Sequence, residues 1–271
     1  MKKLILIPVF VSLSLLFSGC LQVETTLFVK KDGCGTINEK VMFSKTFVNM
    51  MKEFAQAFQD STSNEEFKFY EDENIIADAK NYGENVNYVS HEKISNDKWE
   101  GYQAVYSFDD VTKLKISPDP DSKIDLDGES DMEQDDEDYY YFKFVKGDTP
   151  QLIIDRPDID LNLEESENED STESEQNDLE GGEEFLKMME GMKIDIAVEV
   201  EGKIVSTNAT NVEGSRITLF QMDFGEMMKN KEGFKEFKKN EPKNIDELKQ
   251  YLNKLSGIKL EVEKPITIKF E

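Results

Sequence analysis

The chain has one histidine, His91, set in the run Val89-Ser90-His91-Glu92. Serine, imidazole and carboxylate are the residue types of a nucleophilic triad. Their spacing works against one. The surrounding NVNYVSHEKI reads as a strand, and adjacent side chains of a strand point to opposite faces, so Ser90 and His91 face apart. A surface strand histidine is the expectation. A single imidazole also removes most His-dependent hydrolase, phosphotransfer and zinc-site designs. No phosphate-binding glycine loop or dinucleotide fingerprint is present. Asp125, Asp127 and Gly128 mimic the middle of an EF-hand loop, but Lys123 and Gln134 occupy its first and last positions, where Asp and Glu are needed. Loose cation association with the carboxylates is expected instead. Asn208-Ala209-Thr210 matches an N-glycosylation acceptor and is read as polar turn chemistry. Asp60-Ser61-Thr62 and Asp170-Ser171-Thr172 match short O-glycosylation acceptors, which Asp- and Ser-rich loops supply easily. The expectation is a protein that is not an enzyme, with no catalytic residue, cofactor or metal site.

The cysteines carry more information. The chain opens MKKLILIPVFVSLSLLFSGCLQVE, with Lys2 and Lys3 before an apolar run from Leu4 to Phe17. That run is short for a spanning helix, which needs roughly 20 apolar residues, and suits the apolar core of a signal peptide. Phe17-Ser18-Gly19-Cys20 resembles a bacterial lipobox, in which small residues precede a cysteine that is lipidated and becomes the first residue. Cys20 is therefore the expected lipidation site, with residues 1–19 removed and the membrane engaged through that lipid. Two or more acyl chains make such an anchor stable, where a single chain binds only marginally. Cys34 is then left without an intramolecular partner. It lies in Asp32-Gly33-Cys34-Gly35, where a small turn residue is the expectation rather than a reactive thiol.

The formal charge is −26, but it is not spread evenly. Residues 117–138 hold eleven acids and one lysine, and residues 164–184 hold eleven acids and no base. These tracts lack the apolar area to order themselves and are expected to be disordered loops. The remaining body is mildly acidic. Nucleic acid and anionic lipid headgroups are poor partners for such a surface.

The elements that position these residues follow from periodicity. LQVETTLFVKKDGCGTINEKVMF reads as a hairpin, with Val23, Thr25, Leu27 and Val29 on one face, and Ile37, Val41 and Phe43 on one face of the return strand. Phe47, Met50, Met51, Phe54 and Phe58 mark a helix that starts near Ser44 or Lys45, and core packing accounts for that stripe. A shorter helix spans 72–82 before Gly83. NVNYVSHEKI and WEGYQAVYSFDDV are strands, as are YYYFKFV and QLIIDRP beyond the first acidic tract, which places that tract inside a hairpin. EEFLKMMEGM is a short helix. In KIDIAVEVEGKIV, Ile194, Ile196, Val198 and Val200 alternate with Asp195, Ala197, Glu199 and Glu201, predicting one core face and one wet face. RITLFQMDF returns as a strand after the turn-rich NATNVEGS. Helices are expected over 226–238 and from Ile245 to Ser256, the latter with Asn244 as N-cap and Gly257 after its end. IKLEVEKPITIKFE gives two strands broken at Pro265. The class is α+β, with a mostly antiparallel sheet and several helices. Residues 20–271 are expected to form a single domain, cooperative because neither end alone has enough strands for a stable sheet.

Three segments, GCLQVETTLFVKKDGCGTI, KIDIAVEVEGKIVSTNATNVEGSRITLFQMDF and SGIKLEVEKPITIKF, together resemble bacterial lipoproteins of the LppM-like type, a family without an established activity. Cys34 stands where a serine or another small residue is usual, and Glu201 where proline is usual. The resemblance implies an exported, lipid-anchored α+β protein and carries over no catalytic residue. The leading expectation is a cell-envelope protein anchored by the lipid on Cys20, acting as a non-enzymatic binding or assembly module for an unknown envelope protein or ligand. The alternative is an acidic, adhesin-like surface factor whose tracts bind partners through weak cation association.

Overall fold

The computed structural model describes residues 21–58, 70–119, 139–159, 191–229, 242 and 244–271, with backbone alone for 54–58. The leader, Cys20, Asp125, Asp127, the second acidic tract, the first tract from residue 120 onward, and most of the helices expected over 183–192 and 226–238 lie outside these residues. The chain divides into two compact units, neither continuous in sequence.

The larger unit covers Gln22–Asp158, Ile194–Gln221 and Lys259–Glu271. It is built on two sheets. Strands β1 (Leu21–Val29) and β2 (Gly35–Ser44) form the expected hairpin. The turn closes with Lys30 N donating to Cys34 O and Gly33 N to Lys30 O. Every second residue of β1, from Leu21 to Val29, is buried. Helix α1 (Lys45–Phe58) follows at once. Phe47, Val48 and Met51 are buried, but Met50 is 40% exposed and leaves the expected stripe. A helix advances about 100° per residue, which carries Met50 off the face that holds Phe47 and Met51. Helix α2 (Asp72–Ala77) runs on into a 3₁₀ turn (Asp78–Tyr82) and ends at Gly83, whose φ of 125° suits a residue without Cβ.

Strands β3 (Val86–Ser95) and β4 (Trp99–Phe108) complete one edge of the large sheet. β4 pairs antiparallel with both β2 and β3. β5 (Lys115–Ile116) pairs antiparallel with β6 (Tyr140–Val145), so the first acidic tract does connect two strands of a hairpin. β7 (Gln151–Asp155) extends that second sheet.

β8 (Lys193–Val200) departs from expectation. Asp195 and Ala197 are buried together with Ile194, Ile196 and Val198. β8 is an interior strand, between β1 and β11 (Arg216–Asp223), and its expected wet face is covered at Asp195 and Ala197, while Glu199 is half-buried and Glu201 exposed. The strand also stops earlier than its alternation suggests. Gly202 has φ +87°, and a Cβ there would collide with the Glu271 carbonyl oxygen. The chain bends at that glycine, and Ile204–Thr207 becomes β9 of the other sheet. Within NATNVEGS, β10 (Val212–Glu213) pairs with the start of β11. The two closing strands also part: β12 (Ile258–Leu260) pairs with β11, and β13 (Ile266–Phe270) lies between β7 and β9. The large sheet runs β10-β11-β8-β1-β2-β4-β3, with β12 beside β11, and the smaller runs β5-β6-β7-β13-β9.

The smaller unit spans Met1–Leu21, Ile159–Lys193 and Met222–Ile258. Its described part holds helices α3 (Phe224–Lys229) and α4 (Ile245–Leu252). Asn244 caps α4 as expected: its Oδ1 accepts from Glu247 N at 2.9 Å. The helix ends at Leu252 rather than Ser256, and turns carry the chain to Gly257 at φ +82°. Asp223 N donates to Gly257 O at 2.7 Å. Met227, Leu248 and Leu255 are buried.

Candidate functional site

The polar residues that come together do so on the inward face of β2, β3 and β4. Register fixes the set. Ile37, Glu39 and Val41 lie opposite Tyr106, Ala104 and Tyr102, and Tyr88, His91 and Lys93 lie opposite the same three β4 residues from the other side. Paired residues share a sheet face, so one surface carries Glu39, four of these aromatic or basic side chains, and the lone histidine.

Glu39 is the residue the sequence reading passed over. It occupies an inward position of β2 between Ile37 and Val41, and it is 0% exposed. Burying a carboxylate is costly unless hydrogen bonds replace its water. Tyr102 Oη donates to Glu39 Oε1 at 3.0 Å, and Tyr82 Oη donates to Oε2. Tyr82 comes from the 3₁₀ turn, so this carboxylate ties the α2 segment to the sheet. Tyr106 Oη adds a second tie, donating to Ile75 O at 2.8 Å. Burial, followed by the Glu39 charge, pushes the hydroxyl pKa values of Tyr82, Tyr102 and Tyr106 above the ordinary tyrosine range. All three remain protonated donors at neutral pH. The alternation of β2 was the available signal for this site: an acid at a core position demands partners.

His91 is placed by a bulge. The β3–β4 register slips between Tyr88 and Ser90, leaving Val89 exposed and putting Tyr88 and His91 on one face. Tyr88 Oη and His91 Nδ1 are 2.8 Å apart, and His91 Nε2 lies 3.5 Å from Asp72 Oδ1. Asp72 also pairs with Lys93 at 2.8 Å, and that hydrogen bond holds the Asp72 carboxyl below its usual range. Ser90 pairs with Val105 and faces the other way, so the apparent triad is not assembled. The imidazole is only 14% exposed, more covered than a plain surface histidine.

Further clusters hold turns and strands. Glu261, fully buried, accepts from Thr210 N at 2.6 Å, Asn211 N at 3.3 Å and Thr210 Oγ1 at 3.3 Å. Asn208 donates through Nδ2 to Pro265 O and accepts from Thr267 N at 2.7 Å. The acceptor-like Asn-Ala-Thr is thus turn chemistry, with its amide engaged. Arg156 forks onto Val262 O through Nε and Nη2, and Nη1 donates to Pro157 O at 2.6 Å. On the large sheet, Arg216 bridges Thr26 Oγ1 at 2.9 Å and the Asp195 carboxylate, which explains how β8 buries an acid.

Cys34 is half-buried in its turn. Asp32 Oδ1 accepts from its backbone N at 3.0 Å. The hydrogen bond to Asp32, then burial, raises the thiol pKa, so the thiolate is scarce at neutral pH. Cys20 lies outside the described residues, but β1 begins at the next position, Leu21.

The described architecture is that of an α+β protein with two mostly antiparallel sheets and several helices. No family model matches the chain, and no curated protein matches it. Among solved structures, it is similar to the NMR structure of the folded domain of LppM from Mycobacterium tuberculosis. That likeness has 9% sequence identity and a TM-score of 0.31, over 94% of this chain and 91% of the other. Values this low carry no inference about mechanism or ligand.

Proposed function

We propose that this protein is a lipid-anchored component of the bacterial cell envelope, whose α+β body acts as a non-enzymatic binding or assembly module. One observation carries the reading. The signal-like segment ends on Cys20, and the first strand begins on the following residue. Leader and body abut at the residue that the lipobox-like sequence marks for acylation. The polar clusters fit a structural use of their side chains. No buried side-chain nitrogen or oxygen among the described residues lacks a partner. Glu39, Glu261 and Arg156 are spent on tying segments together rather than aimed into open space.

Fractionation of the exporting cell tests the anchor. The native protein is expected in the membrane fraction with an acyl label, and Cys20→Ser in the soluble exported fraction without it. Unchanged detergent partitioning of Cys20→Ser would defeat the reading. For the module, crosslinking in the native envelope should recover the same partner from the full chain and from a chain lacking both acidic tracts. Loss of that partner on tract removal would move the activity from the body to the tracts.

A further inference from the structure

We propose that the end of the large sheet where β1 begins is a membrane-contacting surface, with the Trp99 indole seated among the lipid headgroups. This rests on the lipid anchor at Cys20 read above, and it specifies which part of the body meets the bilayer.

The first argument is reach. Leu21 is already in the sheet and 4% exposed. A lipid on the preceding residue would have no spacer, and one residue spans only about 3.8 Å. The body must therefore rest on the bilayer through whatever surrounds the start of β1.

Register says what that is. Lys30 N bonds to Cys34 O across the hairpin turn. Counting back along both strands puts Leu21, the first residue of β1, beside Phe43, and the next residue of β2 is Ser44. Ser44 pairs with Trp99 on β4. Adjacent strands are about 4.8 Å apart, so Trp99 lies two strands, roughly 10 Å, across the sheet from β1 and close to the level of Leu21.

The chemistry of the row suits an interface. Trp99 is the only tryptophan in the chain and is half-buried. Its indole N–H makes no hydrogen bond among the described residues. Tryptophan concentrates at membrane–water boundaries because its ring is apolar and its N–H can donate to headgroups. The residue is also held rigidly. Asn96 Oδ1 accepts from Lys98 N at 3.0 Å and Trp99 N at 2.9 Å, and Asn96 N donates to Trp99 O at 2.9 Å. Lys45 N donates to Lys98 O at 2.9 Å, bringing two lysines to this end. Neither ammonium makes an ion pair among the described residues, and both stems can run along the headgroup layer. Asp97 and Glu100 stand at the same end and offset their charge. The indole, rather than net charge, makes the contact.

The single tryptophan makes the test specific. The lipidated mature protein would be reconstituted into phosphatidylcholine vesicles with or without brominated acyl chains. Expected are flotation with the vesicles, a blue-shifted emission relative to soluble Cys20→Ser, and loss of emission with brominated lipid. Inserting about ten Gly/Ser residues between Cys20 and Leu21 should preserve flotation and reverse both optical effects, because a flexible linker frees the body from the surface. Flotation with water-like, unquenched emission would overturn this inference and leave the anchor standing. Failure of the lipidated protein to float would overturn both.

Discussion

The inward face around Glu39 and the sheet end around Trp99 treat polar groups in opposite ways. At Glu39, two tyrosine hydroxyls saturate one carboxylate with no exposure. At Trp99, the indole N–H and two nearby ammonium groups have no partner among the described residues. Both regions use strands β2 and β4, only a few register steps apart. A saturated cluster has little left to offer a ligand, whereas an unsatisfied one does. The contrast sets structural work inside the sheet against the membrane contact proposed for its end.

The largest effect should come from breaking the saturated side. Glu39→Ala leaves two buried tyrosine hydroxyls without their acceptor and opens a void, at a cost of about 3–5 kcal/mol. Domains are stable by only about 5–15 kcal/mol, so urea unfolding should shift strongly. Glu39→Gln keeps the volume and one acceptor and should cost about 1–3 kcal/mol. Trp99→Ala should cost clearly less than Glu39→Ala. Equal losses would erase the contrast between the regions.

A second prediction follows from the tyrosines. Their folded-state pKa values are raised above the ordinary tyrosine value of 10.0, and that of Tyr140 is raised by burial as well. Above that value the unfolded chain releases phenolic protons that the folded chain keeps. The stabilisation is thus complete below it and lost as pH rises beyond it. Tyrosinate absorbance from the buried set should appear together with loss of tertiary structure. Titration of all tyrosines in a still-folded chain would contradict the buried Glu39 cluster.

Arg216→Ala should destabilise by about 1–3 kcal/mol, because it leaves the buried Asp195 carboxylate without its half-exposed cation. Asp195→Asn with Arg216→Gln should recover part of that loss. The smallest effect is expected from excising the acidic tracts. Lys115 and Ile116 already pair with Tyr141 and Tyr140, so a short Gly/Ser bridge can close β5 onto β6. The thermal transition should hardly move. A collapse of folding would show that the tracts support the body.

Much of the architecture was legible in the sequence because alternation and turn chemistry act locally. The β1–β2 hairpin, the N-cap at Asn244 and the hairpin carrying the first acidic tract followed from short patterns. What failed depended on neighbours. β8 looked half-wet because the sequence does not say that β1 and β11 flank it, nor that Arg216 reaches Asp195. The β8 pattern ran through Gly202 because a change of sheet leaves only a glycine as its mark. Glu39 was legible in principle, as an acid in a core register. Its tyrosines were not, since Tyr82 and Tyr102 are 43 and 63 residues away. Trp99 becomes informative only once the β2–β4 register sets it level with the start of β1.

The central claim is that the body is held at the membrane by a lipid on Cys20. Intact-mass analysis of the protein purified from its own membranes tests this most directly. The account expects a chain that begins at Cys20 and carries acyl mass on that residue. A mature chain that keeps residues 1–19, or one with an unmodified Cys20, would contradict it.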